Sequence, residues 1–542
     1  MRIFFLALEP LENPTFRSIW LGNIISNFGT MVQSVGAAWL MLSLTHSVDM
    51  VALVQTAVAL PIMLFSYVGG TLADTYSRRS IMIVTQWFML AVSAVLSALA
   101  FMGGMSPWTL LLFTFLIGCG TAMNNPSWHA SVGDLVPKKI LPAAVSLNSV
   151  GFNISRSAGP AIGGIIVAFG GAAAAFALNS ASYIGVLFAL TRWRPRIVER
   201  SIPPEPIRAA MVSGLRYVSM SPSIGTVLLR SFVFGFSVVA VLALLPVVSD
   251  TLLGGGPLVF GVMLGCFGLG AIVGAMSSAQ LQVVLQSELI VRLAFIGFAI
   301  CSVVTGASPT PWITGPALMI GGACWVLAMT LFNVSVQLLA PRWVVGRVLS
   351  IYQTVTFAGI ALGSWVWGLT GEAHGLQVAL TAAGAAMIAS AVVGLVLPLP
   401  KRVTLNLAPA GDWQEPELEL DIQQQSGPIR LQISYRVRAE NLPIFLEAMA
   451  KRQRVRLRNG AHGWTLMRDL SAPEVWTESY RTATWADYVR HKSRETESDN
   501  AIWEQIMSAH EGPARPQIQR FIERETKQVV SLQAPASDIH LP

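Results

Sequence analysis

The chain has 542 residues, 53% of them hydrophobic and only 12% charged, whereas soluble domains carry about a quarter charged residues. That balance excludes a soluble globular fold for the bulk of the chain. A net charge of +7 would suit a nucleic-acid partner, but the basic residues cluster in short loops between apolar runs, where they set membrane orientation, so no nucleic acid is expected.

About 20 apolar residues are needed to cross the hydrocarbon core as a helix. Twelve such runs begin near Phe16, Met50, Ser80, Trp108, Leu141, Gly171, Ser223, Leu258, Leu289, Pro311, Leu349 and Gly375. The N-terminus has one arginine and a brief apolar stretch without a small-residue cleavage site, so no cleaved signal is expected. Between the sixth and seventh runs an Arg- and Pro-rich stretch divides the apolar region into six and six. Lys and Arg mark one set of loops: Arg78 and Arg79, Lys138 and Lys139, Arg192 through Arg216, Arg292, Arg342 and Arg347, and Lys401 and Arg402. The opposite turns, at 45–49, 103–106, around Gly170, 250–256, 307–309 and 372–374, have none. This pattern puts both termini on the cytoplasmic side of a cell membrane, the inner one where there are two.

After Pro400 the composition changes. From 429 to 437 apolar and polar residues alternate as in a half-buried strand. A helix over 442–458 follows, closed by Asn459 and Gly460, then strand-like runs at 463–468 and 474–482, helical segments within 485–510 and a last strand at 517–523. The order β-α-β-β-α-β reads as a ferredoxin-like α+β domain. The expected division is 1–191 for the first six-helix half, 192–222 for a central cytoplasmic loop, 223–400 for the second half, 401–427 for a linker, 428–528 for the α+β domain and 529–542 for a flexible tail.

Two motifs carry a family resemblance. The turn after the second span reads Gly70-Thr71-Leu72-Ala73-Asp74-Thr75-Tyr76-Ser77-Arg78-Arg79 and resembles the signature loop of the major facilitator superfamily, although Thr75 and Ser77 depart from its fuller pattern. The resemblance implies a gate in which Gly70 lets helices approach, Asp74 sits near a helix end, and the basic pair Arg78 and Arg79 binds carboxylates and helix ends; termination of a helix would use the same residues. In the fifth span, Gly159-Pro160-Ala161-Ile162-Gly163-Gly164 resembles the glycine-proline motif of exporters in that superfamily. Ser155, Gly159 and Gly163 are four apart, a small-residue face for close packing beside Gly164, and Pro160 permits a bend. Residues 10–400 resemble the bacterial enterobactin-exporter-like branch. The tail resembles the dimeric α+β barrel family, through its element order and the run RVRLRNGAHGWTLMRDL, which implies self-association or regulation, with an oxygenase as the other reading.

Within the spans, Arg156 lies midway along the fifth, where a charge costs about 2.5–3.5 kcal/mol on insertion scales; it is expected to face a wet cavity or a protein partner. Arg230 is expected to snorkel to the interface as an anchor. Asn23, Asn27, Thr30 and Ser34 make a polar stripe on the first span, Asn124, Asn125 and His129 lie on the fourth, and Asn333 and Gln337 on the tenth. The resemblance implies that the first, fourth, seventh and tenth helices line a central cavity, so Asn27, Ser34, Asn124, Asn125, Arg156, Asn333 and Gln337 are candidates for substrate binding, against interhelical hydrogen bonding. Phe232 and Phe236 suggest one greasy wall and an amphiphilic cargo. No carboxylate lies mid-span, which leaves His129 as the candidate for a coupling proton, with a structural histidine as the other reading. No G-x-x-x-x-G-K-[ST] loop is present, and the four cysteines, all in apolar stretches, offer neither metal nor disulfide spacing. The expectation is an all-α membrane protein of the major facilitator fold with a small α+β domain: not an enzyme, without cofactor or metal, a secondary exporter of siderophore- or drug-like molecules. Its partners would be that substrate and membrane lipid, with a coupling proton and self-association through the tail left open. A lipid or lysolipid flippase and a membrane-tethered enzyme are the alternatives.

Overall fold

The structure, a computed structural model, describes residues 9–137, 139–194, 205–400, 415–416, 418–512 and 516–524, and at 74 and 75 the backbone alone. Lys138, most of the expected linker and the tail at 529–542 lie outside the described residues. The chain forms two compact units, Met1–Arg200 with Ser223–Val336 and Leu349–Lys401, and Ser201–Pro222 with Gln337–Val348 and Arg402–Pro542.

The first unit is helical. Its first half comprises α1 (Pro14–Thr45), α2 (Val48–Thr75), α3 (Arg78–Phe101), α4 (Pro107–Leu135) and α5 (Leu141–Arg192). The second half comprises α7 (Pro222–Thr251), α8 (Pro257–Val284), α9 (Ser287–Ala307), α10 (Pro311–Leu339), α11 (Val345–His374) and α12 (Leu376–Val396); the shorter α6 (Ile207–Ser219) lies between the halves in sequence. Among the described residues, 11 helices are long and apolar enough to cross a membrane. The 52-residue α5 would measure about 78 Å if straight, more than twice a hydrocarbon core of about 30 Å. It is not straight: Gly171 has φ 71° and ψ 174°, a conformation open to glycine without strain, and two helical segments meet there.

Starts and stops follow local chemistry. Asn13 caps α1 by accepting from the amides of Thr15 at 2.9 Å and Phe16 at 3.2 Å, with Pro14 as the first helical residue. Ser106 and Pro107 do the same for α4. Within the first half, Gln33 of α1 accepts from Ser93 of α3 at 3.1 Å and from Asn179 of the second α5 segment, joining three helices through a buried polar node. The second half is held by aromatic packing: Phe234 of α7 lies 5.0 Å, 6.4 Å and 6.0 Å in ring centroid distance from Phe295, Trp325 and Phe332. Arg230 departs from the expected snorkelling anchor. It is 3% exposed and pairs with Glu288, whose carboxylate also accepts from the amide of Leu399 at 2.8 Å and faces Arg292 at 3.4 Å. A carboxylate at the start of α9 removes the need for Arg230 to reach water.

The second unit holds α6, the first turn of α11 and the tail. In the tail, β1 (Ile429–Arg436), α13 (Leu442–Arg458), β2 (His462–Arg468), β3 (Val475–Thr482), α14 (Trp485–Ser493), α15 (Glu497–Ala509) and β4 (Gln517–Ile522) follow in order. The strands form one sheet in the order β2-β3-β1-β4, every neighbouring pair antiparallel. The alternate residues Ile429, Leu431, Ile433 and Tyr435 of β1 are buried against Phe445 and Met449 of α13 and Ile506 of α15. A buried cluster of charges sits in this core. Glu478 of β3 is fully buried and accepts from Tyr435 Oη (2.9 Å), Arg452 Nε (3.2 Å), Arg456 Nε (3.1 Å) and Trp464 Nε1 (3.1 Å). Burial alone would raise its carboxyl, but Arg456 and Arg452 outweigh that and hold it at about 2.

Candidate functional site: a cation between the helical halves

The first segment of α5 runs between α1 and α8, and its small residues set both contacts. Toward α1, Ser155 Oγ donates to the carbonyl of Ile24 at 3.2 Å, and a Cβ at Gly159 or Gly163 would come within 2.6 Å of Met31 or 3.1 Å of Val32. Toward α8, a Cβ at Gly164 would stand 2.7 Å from the carbonyl of Pro257 and 2.8 Å from Gly261 Cα. Lower on α8, a Cβ at Gly268 would stand 2.5 Å from Ser157 Cα and 3.0 Å from the carbonyl of Arg156. Pro160 stays inside the helix, and its carbonyl faces Gly261. The backbone of α5 therefore meets the second half at near contact distance, and Arg156 leaves it where no larger residue than glycine fits opposite.

The half-buried Arg156 has no hydrogen bond or ion pair among the described residues. Its guanidinium carbon lies 4.9 Å from the ring centre of Trp325 of α10 and 5.8 Å from that of Phe267 of α8; the two rings stand edge to face at 5.9 Å. Every Asp and Glu of these helices lies within three residues of a helix end. A cation–π contact is worth about 0.5–2 kcal/mol, less than the insertion cost of a mid-span charge of about 2.5–3.5 kcal/mol. The two rings hold the cation in place without neutralising it.

The other sequence candidates divide by placement. Asn124 is buried and accepts from Thr85 and Gln86 of α3, each at 3.4 Å. Ser34 donates to Met31 of its own helix at 2.7 Å. Asn27 is half-buried, Asn125 and His129 are exposed on α4, and none of these three has a side-chain partner among the described residues. Asn333 is half-buried and Gln337 exposed, one turn apart on α10. Phe236 packs on Trp367 of α11 at 5.3 Å, and the Trp367 indole donates to the Phe236 carbonyl at 2.7 Å.

The motif loop ties helix ends together. Arg78 donates to Asp134 Oδ2 at 2.8 Å and to the carbonyl of Ala130 at 2.9 Å, and Arg79 to the carbonyls of Leu190 and Thr191 at 2.9 Å and 3.0 Å. Cations at helix C-termini meet the negative end of the helix dipole. A Cβ at Gly70 would meet Ser350 Oγ of α11 at less than contact distance, so any side chain there requires that hydroxyl to turn away. The Asp74 side chain lies outside the described residues. At the opposite end of the same helix pair, Glu372 of α11 accepts from the amide of Val48 at 2.7 Å, and midway Thr56 donates to the carbonyl of Ala361 at 3.1 Å. Trp325, Phe267, Ser350 and Glu372 were not singled out by sequence. An aromatic one or two turns from the polar Asn333 is an ordinary packing residue until its partner, more than a hundred residues away, is known.

The family model for transmembrane secretion effectors, a branch of the major facilitator superfamily, matches residues 6–528. The enterobactin exporter EntS of Shigella flexneri is 24% identical over 401 residues, covering 71% of this chain and 92% of that protein. The multidrug efflux pump Tap of Mycolicibacterium fortuitum is 23% identical, covering 70% and 95%. Among solved structures, a bacterial homologue of the human lysosomal transporter Spinster, inward-facing and unoccupied, superposes with a TM-score of 0.54 at 14% identity, covering 71% of this chain and 94% of that one. The chain belongs to the transmembrane secretion effector family and is a multi-pass membrane transporter of the major facilitator superfamily.

Proposed function

We propose that the protein exports small amphiphilic molecules, siderophore- or drug-like, by alternating access between its two helical halves. The observation that carries this reading is Arg156, a cation at the α5–α8–α10 seam with aromatic rings against it and no carboxylate paired with it among the described residues. The curated relatives named for efflux support the outward direction. The break at Gly171 supports two crossings within α5, hence twelve in all, and the Lys and Arg distribution supports cytoplasmic termini. Gly70, Asp74, Arg78 and Arg79 form the gate at the cytoplasmic ends of α2 and α3, and Asn27 and Asn333 add polar contacts to cargo. The tail is a ferredoxin-like domain, supported by its β-α-β-β order and its sheet order, and it regulates or self-associates. The test is export from proteoliposomes: Arg156→Ala should insert and fold yet lose efflux at least tenfold, and Arg156→Lys, which keeps the charge without the planar fork, should retain part of it. Normal efflux by Arg156→Ala overturns the reading.

A further inference from the structure

We infer that the cargo is an aromatic organic anion and that the membrane potential alone drives its export. This rests on the transport reading above and names its substrate class and energy source. The guanidinium of Arg156 is held on Trp325 and Phe267, and its five donors are unclaimed by any described residue. A carboxylate, sulfonate or phenolate in the plane of the guanidinium satisfies two of those donors at once. Edge-to-face indole and phenyl rings beside it offer an apolar wall to a planar ring system.

Charge accounting gives the energy source. With a monovalent anion aboard, the site is neutral; empty, it carries one positive charge, so each cycle moves one negative charge outward. From an interior held negative that movement is downhill, by a factor of about 50 for a potential of about 100 mV. The machinery for coupling to protons is not mid-span among the described residues. Among the described residues, Glu288, at the start of α9, is already engaged by Arg230, Arg292 and the Leu399 amide. His129 is exposed on α4, on a different helix from the ring-held cation.

The full chain, reconstituted in phosphatidylethanolamine–phosphatidylglycerol vesicles, tests this with two fluorescent probes, 1-naphthalenesulfonate and ethidium. A potassium gradient with valinomycin makes the interior positive at equal pH, so the direction of insertion does not matter to the sign. The expected result is potential-dependent accumulation of the sulfonate, approaching about 50-fold at about 100 mV, and no accumulation of ethidium when the potassium gradient is reversed to make the interior negative. A pH gradient imposed without a potential should accumulate neither. Arg156→Ala should abolish sulfonate accumulation and Arg156→Lys reduce it. Trp325→Leu should raise KM about tenfold with kcat within about twofold, the size of one lost aromatic contact; an equal loss of both would mark a folding defect, and size-exclusion homogeneity checks this for each variant. Sulfonate accumulation driven by the pH gradient overturns the energy source. Ethidium accumulation indifferent to Arg156 overturns the substrate class and leaves an exporter. If neither probe moves, the anion proposal and the transport reading both fall.

Discussion

Arg156 of the helical unit and the buried arginines of the second unit meet opposite conditions. In the tail, Arg452 and Arg456 are buried against Glu478, and in the same unit Glu205 takes both Arg347 at 2.9 Å and Arg494 at 3.2 Å. In the helical unit, Arg156 rests on rings and has no acid paired with it among the described residues. A buried cation with a carboxylate already serves structure, because removing either partner strands the other. One without a carboxylate has its charge available for something that comes and goes. The comparison therefore separates scaffold from site by asking whether a charge is compensated, and each of the following substitutions strains it at a different strength.

The largest effect is expected at Glu478. Glu478→Gln leaves Arg452 and Arg456 facing an uncharged group inside the tail core, and breaking a buried pair this way costs about 3–5 kcal/mol. Hydrogen exchange across 429–522 of the full chain should show that loss, while exchange in α1 and α8 stays unchanged. The pH dependence has a definite sign. Because the folded carboxyl is held at about 2, below its unfolded value of about 4.3, it adds stability above that unfolded value. The contribution is lost as pH falls from there toward about 2. Wild-type tail protection should therefore fall in that window, and the Glu478→Gln protein should lack that component. A variant as protected as wild type would break the rule that compensated charges are scaffold.

Much of the scaffold was legible because it rests on periodicity. The strict alternation at 429–437 and the helix at 442–458 correspond to β1 and α13, and the turn at Gly170 fell one residue from the break at Gly171. Long-range pairing was not legible. The stripe Asn23, Asn27, Thr30 and Ser34 was chosen by spacing, yet the polar node of α1 is Gln33, on another face, and its partner Asn179 lies 146 positions on. A lone Asn in the sixth apolar run was the available signal. Glu288 stands in the first turn of α9, and only the fold brings it to Arg230. Arg156 was picked out because a mid-span charge is conspicuous in any sequence, but its rings come from α8 and α10, and nothing in local spacing points there.

A middle effect is expected at Glu205, which ties three stretches of the second unit. Arg347, in the first turn of α11, also donates to Ser213 of α6 at 2.7 Å. Arg494 of the tail donates to the carbonyl of Asn459 at 3.2 Å and lies 4.2 Å above the ring of Trp343. Burial would raise the Glu205 carboxyl, but Arg494 and Arg347 outweigh it and lower it. Glu205→Gln should cost about 2 kcal/mol, the value of charge-assisted hydrogen bonds lost from a partly exposed group. Faster exchange or trypsin cleavage in α6 would report it. Arg494→Gln should reproduce the change and, combined with Glu205→Gln, add little, since both remove one interaction. Full additivity would mean that the two residues act on separate contacts.

The smallest effect is expected at Asp134, where a charge pair is present but wet. Arg78 and Asp134 are 2.8 Å apart, with side chains 27% and 48% exposed, and water screens such pairs to about 0–1 kcal/mol. Arg78 would also keep a partner without the carboxylate, since its Nη1 donates to the carbonyl of Ala130 at 2.9 Å, at the last turns of α4 where the helix dipole favours a cation. Asp134→Asn should therefore change thermal stability in detergent by less than about 1 kcal/mol, and the difference should shrink further between about 0.05 M and 0.5 M salt, as the Debye length falls below the separation of most surface charges. Arg78→Ala removes both contacts and should cost more than Asp134→Asn. If Asp134→Asn instead destabilises as strongly as Glu478→Gln, and salt does not reduce the loss, compensation alone does not rank these charges, and the pair at the start of α3 is a structural lock in its own right.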